Sequence, residues 1–159
     1  MGMEQLSMRA ARTYQAPMEH LSRLKAMPGH YIRRAQQVSS AIFAEELAGT
    51  ELTSVQLVAL AAIADCPGLD ATRLAEMIDF DKATIGGVID RLERKKLITR
   101  AVSTEDRRVK ELVPSPEGRA ILAASMASVE RVQERLLAPL EPAEREKLNG
   151  MLRAIIGLS

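Results

Sequence analysis

This 159-residue chain has one cysteine, Cys66, and two histidines, His20 and His30. A single thiol excludes an intrachain disulfide and a cysteine-rich zinc site. Two histidines with no close carboxylate cluster do not make a metal site either, so no metal or other cofactor is expected. Aromatic residues are 3% of the chain. No nucleophile–base pairing, phosphate-binding glycine loop or paired catalytic carboxylates stands out, which argues against a small enzyme. Long apolar runs are missing as well. The longest, "LVALAAIA" from Leu57 to Ala64, is far short of the roughly 18 residues a membrane helix requires. The opening "MGMEQLSMRAARTYQ" lacks the apolar core of a signal peptide. A soluble cytoplasmic protein with no membrane partner is the expectation.

What is present is an ordinary globular composition, 47% hydrophobic and 27% charged. Net charge is only +1, but it is unevenly spread. Between Asp81 and Lys110 there are nine basic and five acidic residues, a net of +4, which leaves −3 for the rest of the chain. A basic block thirty residues long is the footprint of a polyanion partner.

The periodicities order the elements around this block. "HYIRRAQQVSSAIFAEELAG" places Ile32, Ala35, Val38, Ile42 and Phe43 at helical spacing and stops at Gly49. "LTSVQLVALAAIADCPG" opens with Thr53 and Gln56 spaced as a capping box and closes on Pro67 and Gly68. A short helix follows, capped by Asp70, with Leu74, Met77 and Ile78 as its inner side. Asp81 then caps a helix with an apolar stripe at Ile85, Val88, Ile89 and Leu92; cations at 94–96 suit its carboxyl end. "LITRAV" and "VKELV" read as two strands of a charged hairpin. Ser115 and Pro116 start a long helix to about Ala138, and Pro142 starts a last one ending near Ile156.

Three compact helices followed by a charged hairpin describe a winged helix-turn-helix, whose third helix enters the DNA major groove. The fold class is mainly α with a small β-hairpin wing. Residues 1–28 form an arm, 52–114 the winged module, and 29–51 with 115–159 the dimerisation helices. Val129, Val132, Leu136, Leu137, Leu140, Leu148, Met151, Leu152, Ile155 and Ile156 make a long apolar surface. A second copy of the chain would bury it.

From Leu52 to Leu122 the chain resembles the multiple-antibiotic-resistance regulator (MarR) family of bacterial transcription factors. "DKAT", "DRLE", "EDRR" and "PEG", in this order, carry the likeness together. The resemblance implies an obligate homodimer, double-stranded DNA as partner at a near-palindrome, and repression relieved by a small ligand. A peroxide-responsive branch of the family uses a cysteine early in the first long helix. Cys66 comes later, beside Pro67, and is expected to be a buried, inert thiol.

On the third helix Thr84, Gly87, Arg91 and Arg94 lie off the apolar stripe, Gly86 lies at its margin, and Lys82 sits in the first turn. Thr84 is a candidate for a base contact, and Lys82, Arg91 and Arg94 for phosphate contacts. Asp90 and Glu93 are expected to pair with neighbouring arginines. Thr72 and Arg73, opening the short helix, are further phosphate candidates. In the wing, Arg107 is assigned to the minor groove and Arg108 to a structural pair with Asp106. "PGHYIRRAQQ" resembles the start of this helix in members answering to aromatic carboxylates. Arg33 and Arg34 would hold a carboxylate, and His30 a ring hydroxyl or nitrogen; salt bridges at the dimer surface are the alternative. The expected effector class is a hydroxylated benzoate, cinnamate or pyridine carboxylate.

One oddity remains. Gly86 and Gly87 sit inside the DNA-facing helix, each costing about 1 kcal/mol relative to alanine. Members of the family often carry larger polar residues there.

Overall fold

The structure, a computed structural model, describes residues 19–103 and 107–158. It contains two compact units, Met1–Val38 and Ser39–Ser159.

In the first unit, α1 (Glu19–Lys25) carries Glu19 in its first turn and Arg23 and Lys25 in its last, as the helix dipole favours. Helix α2 (Pro28–Glu46) begins here two residues before His30. Leu21, Leu24, Met27, Tyr31, Ile32 and Val38 are exposed. Part of the expected arm is therefore helical, while residues 1–18 lie outside the described ones.

The second unit holds the core. Helices α3 (Ser54–Asp65), α4 (Ala71–Met77) and α5 (Ile85–Arg94) pack beside strands β1 (Ile98–Val102) and β2 (Lys110–Pro114), then α6 (Pro116–Leu137) and α7 (Pro142–Ile155) follow. The strands are antiparallel, with Arg100 opposite Leu112. Leu69 adds one bridge to Leu112, which the hairpin reading did not foresee. Leu60, Ile63, Leu74, Ile89, Leu92, Ile98 and Leu112 are fully buried. This is a winged helix-turn-helix, with α4 and α5 as the two helices and β1–β2 as the wing.

Local chemistry explains the element ends. Thr53 and Gln56 form the reciprocal capping box, and Asp70 accepts from the Arg73 amide. Helix α4 stops at Asp79 (φ 51°), where the Phe80 amide donates to the Ala75 carbonyl. Helix α5 stops the same way at Lys96 (φ 60°), with the Leu97 amide donating to the Leu92 carbonyl. Recognition-helix placement thus rests on two left-handed residues and a buried stripe, Ile85, Val88, Ile89 and Leu92.

Three expectations need correction. Met77 is 50% exposed, and Ala75 takes its place beside Leu74 in the core. With the helix stopping at Met77, the inner side is too short to include it. Cys66 is exposed, because α3 ends at Asp65 and the thiol sits on the cap residue before the Pro67–Gly68 turn. Asp81 does not cap α5 directly. Its carboxylate accepts from the amides of Ala83 and Thr84 at 3.0 Å each, holding a separate turn, and the helix begins at Ile85.

Within the second unit, an ion-pair cluster joins Glu45 and Glu46 to α6. Glu46 accepts from Arg131 Nε at 2.9 Å and Arg135 Nη1 at 2.8 Å, and Arg135 Nη2 also reaches Glu45 at 2.6 Å. The hydrogen bonds from Arg135 and then Arg131 hold the Glu46 carboxyl below its ordinary pKa. A depressed carboxylate contributes stability above its unfolded pKa and loses it as pH falls through the folded value. Glu46→Gln should therefore lower the unfolding temperature modestly at neutral pH. The gap to wild type should close in acid, as thermal melts across pH would record.

Candidate nucleic-acid interface

Helix α5 separates its two faces cleanly. Gly86, Gly87, Asp90, Arg91 and Arg94 are exposed, opposite the buried stripe. Among the described residues, neither Arg91 nor Arg94 has a carboxylate partner. Two cations on one helix face, one turn apart and unneutralised, match the spacing of phosphates along a groove.

The neighbouring candidates are engaged to different degrees. Thr84 is exposed at the amino-terminal cap of α5, with its hydroxyl donating to the Asp81 carbonyl at 3.2 Å. Lys82 lies in the preceding turn rather than in the helix, and its ammonium sits 2.6 Å from Glu76. Both side chains are more than half exposed, so the pair is weak enough to exchange for phosphate. Thr72 and Arg73 are exposed on the first turn of α4. Arg73 Nε lies 4.0 Å from Asp70, which leaves its guanidinium open on the far side. In the wing, Arg107 and Arg108 are both exposed. Asp106, the expected partner of Arg108, falls outside the described residues.

Asp90 and Glu93 do pair with an arginine, but not with one of their own helix. Arg100 of β1 reaches both, by Nη2 to Asp90 and by Nε to Glu93 at 3.5 Å. The sequence reading missed Arg100, because its role comes from the strand's placement beside α5. Alternation along β1 offered the one available signal: Arg100 shares a strand face with buried Ile98.

The glycine pair is not required by packing. An added Cβ at Gly86 or Gly87 would meet no heavy atom within 4 Å. Replacing both with alanine should stabilise the fold by roughly 1–2 kcal/mol, read by denaturant unfolding. Weaker binding to DNA in that more stable variant would place the glycines' role in the fit to the groove. Unchanged binding would leave base selection to Thr84 and the wing.

In the first unit, His30, Arg33 and Arg34 share the opening turns of α2. Arg33 Nη2 lies 3.4 Å from His30 Nδ1, and Arg34 donates to Gln37 at 2.8 Å. His30 packs edge-on against Tyr31, with ring centroids 6.0 Å apart. Among the described residues neither arginine has a carboxylate partner.

A sequence model of the MarR family matches residues 52–110. The transcriptional repressor NicR of Pseudomonas putida is 30% identical over 128 residues, spanning 80% of this chain and 81% of its own. Bordetella bronchiseptica BpsR, solved in a study of how 6-hydroxynicotinic acid regulates its DNA binding, superposes with a TM-score of 0.77 at 31% identity. That likeness covers 82% of this chain and 94% of BpsR. The repressor CouR bound to a 23-mer DNA duplex superposes with a TM-score of 0.76 at 29% identity, covering 89% and 99% of the two chains.

Proposed function

Because this chain belongs to the MarR family of transcriptional regulators, we propose that it is a homodimeric repressor released from a near-palindromic operator by a small aromatic carboxylate. The observation that carries the DNA half is the pair Arg91 and Arg94, exposed and unneutralised on α5 beside the cationic wing. In this reading α5 lies in the major groove, with Thr84 near the base edges. Arg91, Arg94, Lys82, Thr72 and Arg73 hold phosphates, and Arg107 enters the minor groove, where negative potential is concentrated. Arg108 supports the wing turn.

Dimerisation is supported by the exposed apolar residues of the carboxyl-terminal segment. Met151, Leu152, Ile155, Ile156 and Leu158 are 42–67% exposed. A face of this kind on a short terminal helix calls for a second copy. Two modules related by a two-fold axis then meet half-sites about one helical turn apart.

The effector half rests on His30, Arg33 and Arg34, and on BpsR, a relative whose DNA binding answers to a hydroxylated pyridine carboxylate. An arginine fork holds a carboxylate bidentately, and a histidine reads a ring hydroxyl. Release follows only if the ligand binds the operator-incompatible arrangement more tightly than the bound one. The test begins with a duplex selected by the protein from a random pool and footprinted for two-fold symmetry. 6-Hydroxynicotinate, 4-hydroxybenzoate and 4-hydroxycinnamate are then titrated into the complex. Arg34→Ala should keep DNA affinity within about twofold and raise the concentration needed for release at least tenfold, a loss of roughly 1.4 kcal/mol. Release at an unchanged concentration would remove Arg34 from the site. An asymmetric footprint from a single module would remove the dimeric reading.

A further inference from the structure

We propose that Arg100 is a positioning residue for DNA binding, which holds Asp90 and Glu93 and so draws Asp90 away from Arg94, leaving Arg94 to meet phosphate. This rests on the reading of α5 as the DNA-facing helix.

The argument starts from what a helix does alone. Asp90 and Arg94 are four residues apart with the acid on the amino-terminal side, the spacing at which oppositely charged side chains pair along a helix. Glu93 stands at no pairing spacing to Arg91 or Arg94, but it adds a second negative charge to the helix. An isolated α5 would therefore neutralise Arg94 with Asp90. In the folded chain it does not. Asp90 is bound by Arg100 Nη2, and Glu93 lies 3.5 Å from Arg100 Nε. Among the described residues, no other cation is paired with either carboxylate.

Arg100 suits this task. It sits at the centre of β1, opposite Leu112, so the two-stranded ladder sets the position of its backbone. Its side chain is 34% exposed, less than that of Asp90 (55%) or Glu93 (41%). One guanidinium thus holds two acids that would otherwise repel phosphate, one of which, Asp90, would occupy Arg94. Elsewhere in the basic block, Asp81 is held by the amides of Ala83 and Thr84.

The test is a double-mutant cycle on the duplex that the wild-type protein selects, read by fluorescence anisotropy across a salt series. R100A should bind about tenfold more weakly, with a salt slope shallower by roughly one to two units, because Arg94 in each protomer turns back to Asp90. D90N/E93Q should bind at least as tightly as wild type. Combining it with R100A should restore affinity to within about twofold of D90N/E93Q, because no carboxylate is left to capture Arg94. Arg100→Gln, which keeps two of the three methylenes, should reproduce the loss and the rescue with a smaller packing change. A combined variant that stays as weak and as shallow in slope as R100A would overturn the proposal, since Arg100 would then be touching phosphate itself. Wild-type protein that selects no duplex would instead remove the DNA-binding reading on which the proposal stands.

Discussion

Gly118→Ala is expected to destabilise the fold by about 3 kcal/mol, the upper end of what one added methyl does in a packed site. A Cβ at this position would lie 2.1 Å from the Leu97 carbonyl oxygen and 3.3 Å from Leu60 Cδ1. The oxygen belongs to backbone that cannot swing aside. Leu97 follows the left-handed Lys96, and its carbonyl already accepts from the Ser115 amide at 2.9 Å. Ser115 completes the joint, its hydroxyl donating to the Lys96 carbonyl at 2.7 Å and accepting from the Gly118 amide at 2.9 Å. The first turn of α6 is thereby fastened to the exit of α5. Moving it by the ångström a methyl needs would disturb the recognition helix and the wing together. Thermal unfolding should fall by roughly 6–12 °C, whereas Gly86→Ala, with open space around it, should not fall at all. An unchanged melting temperature for Gly118→Ala would mean that the α5–α6 joint is looser than the structure has it.

The second large effect concerns binding. Arg91→Ala with Arg94→Ala removes four cations from a dimer while touching no buried residue, so stability should stay within about 0.5 kcal/mol. Each phosphate contact contributes close to 0.9 to the slope of log affinity against log salt. The double variant should therefore have a slope shallower by roughly 3–4 units, and at low salt it should bind at least a hundredfold more weakly. A slope unchanged by the double substitution would mean that α5 does not lie along the phosphates. The DNA face would then have to be sought elsewhere on the chain.

Much of this was legible in the residues, and the reasons are local. The capping box at Thr53, the caps at Asp70 and Ser115, the stripe through Ile85 and Leu92, and the two strands each depend on neighbours in sequence. Such signals survive without tertiary information. What was not legible depends on meetings between distant elements. Arg100 gains its role only because β1 lies against α5, and Gly118 is required only because a backbone carbonyl twenty-one residues earlier approaches it. Helix α5 started late because Asp81 satisfied a preceding turn, an alternative that a cap-type residue always carries. Cys66 was misplaced because a cysteine after an apolar helix reads as buried until the helix end rotates it outward. The glycine pair, first an uncompensated penalty, is now known to be free of steric cause. The double alanine variant decides whether it serves the fit to DNA.

The central claim is that two copies of α5 and the wing hold duplex DNA through unneutralised arginines. It is tested most directly by the salt dependence of wild-type affinity for the selected duplex, against an unrelated duplex of equal length. Arg91, Arg94 and Arg107 from both protomers predict a slope of about −5 or steeper, with the selected sequence preferred by at least roughly a thousandfold. A shallow slope, or equal affinity for both duplexes, would contradict it.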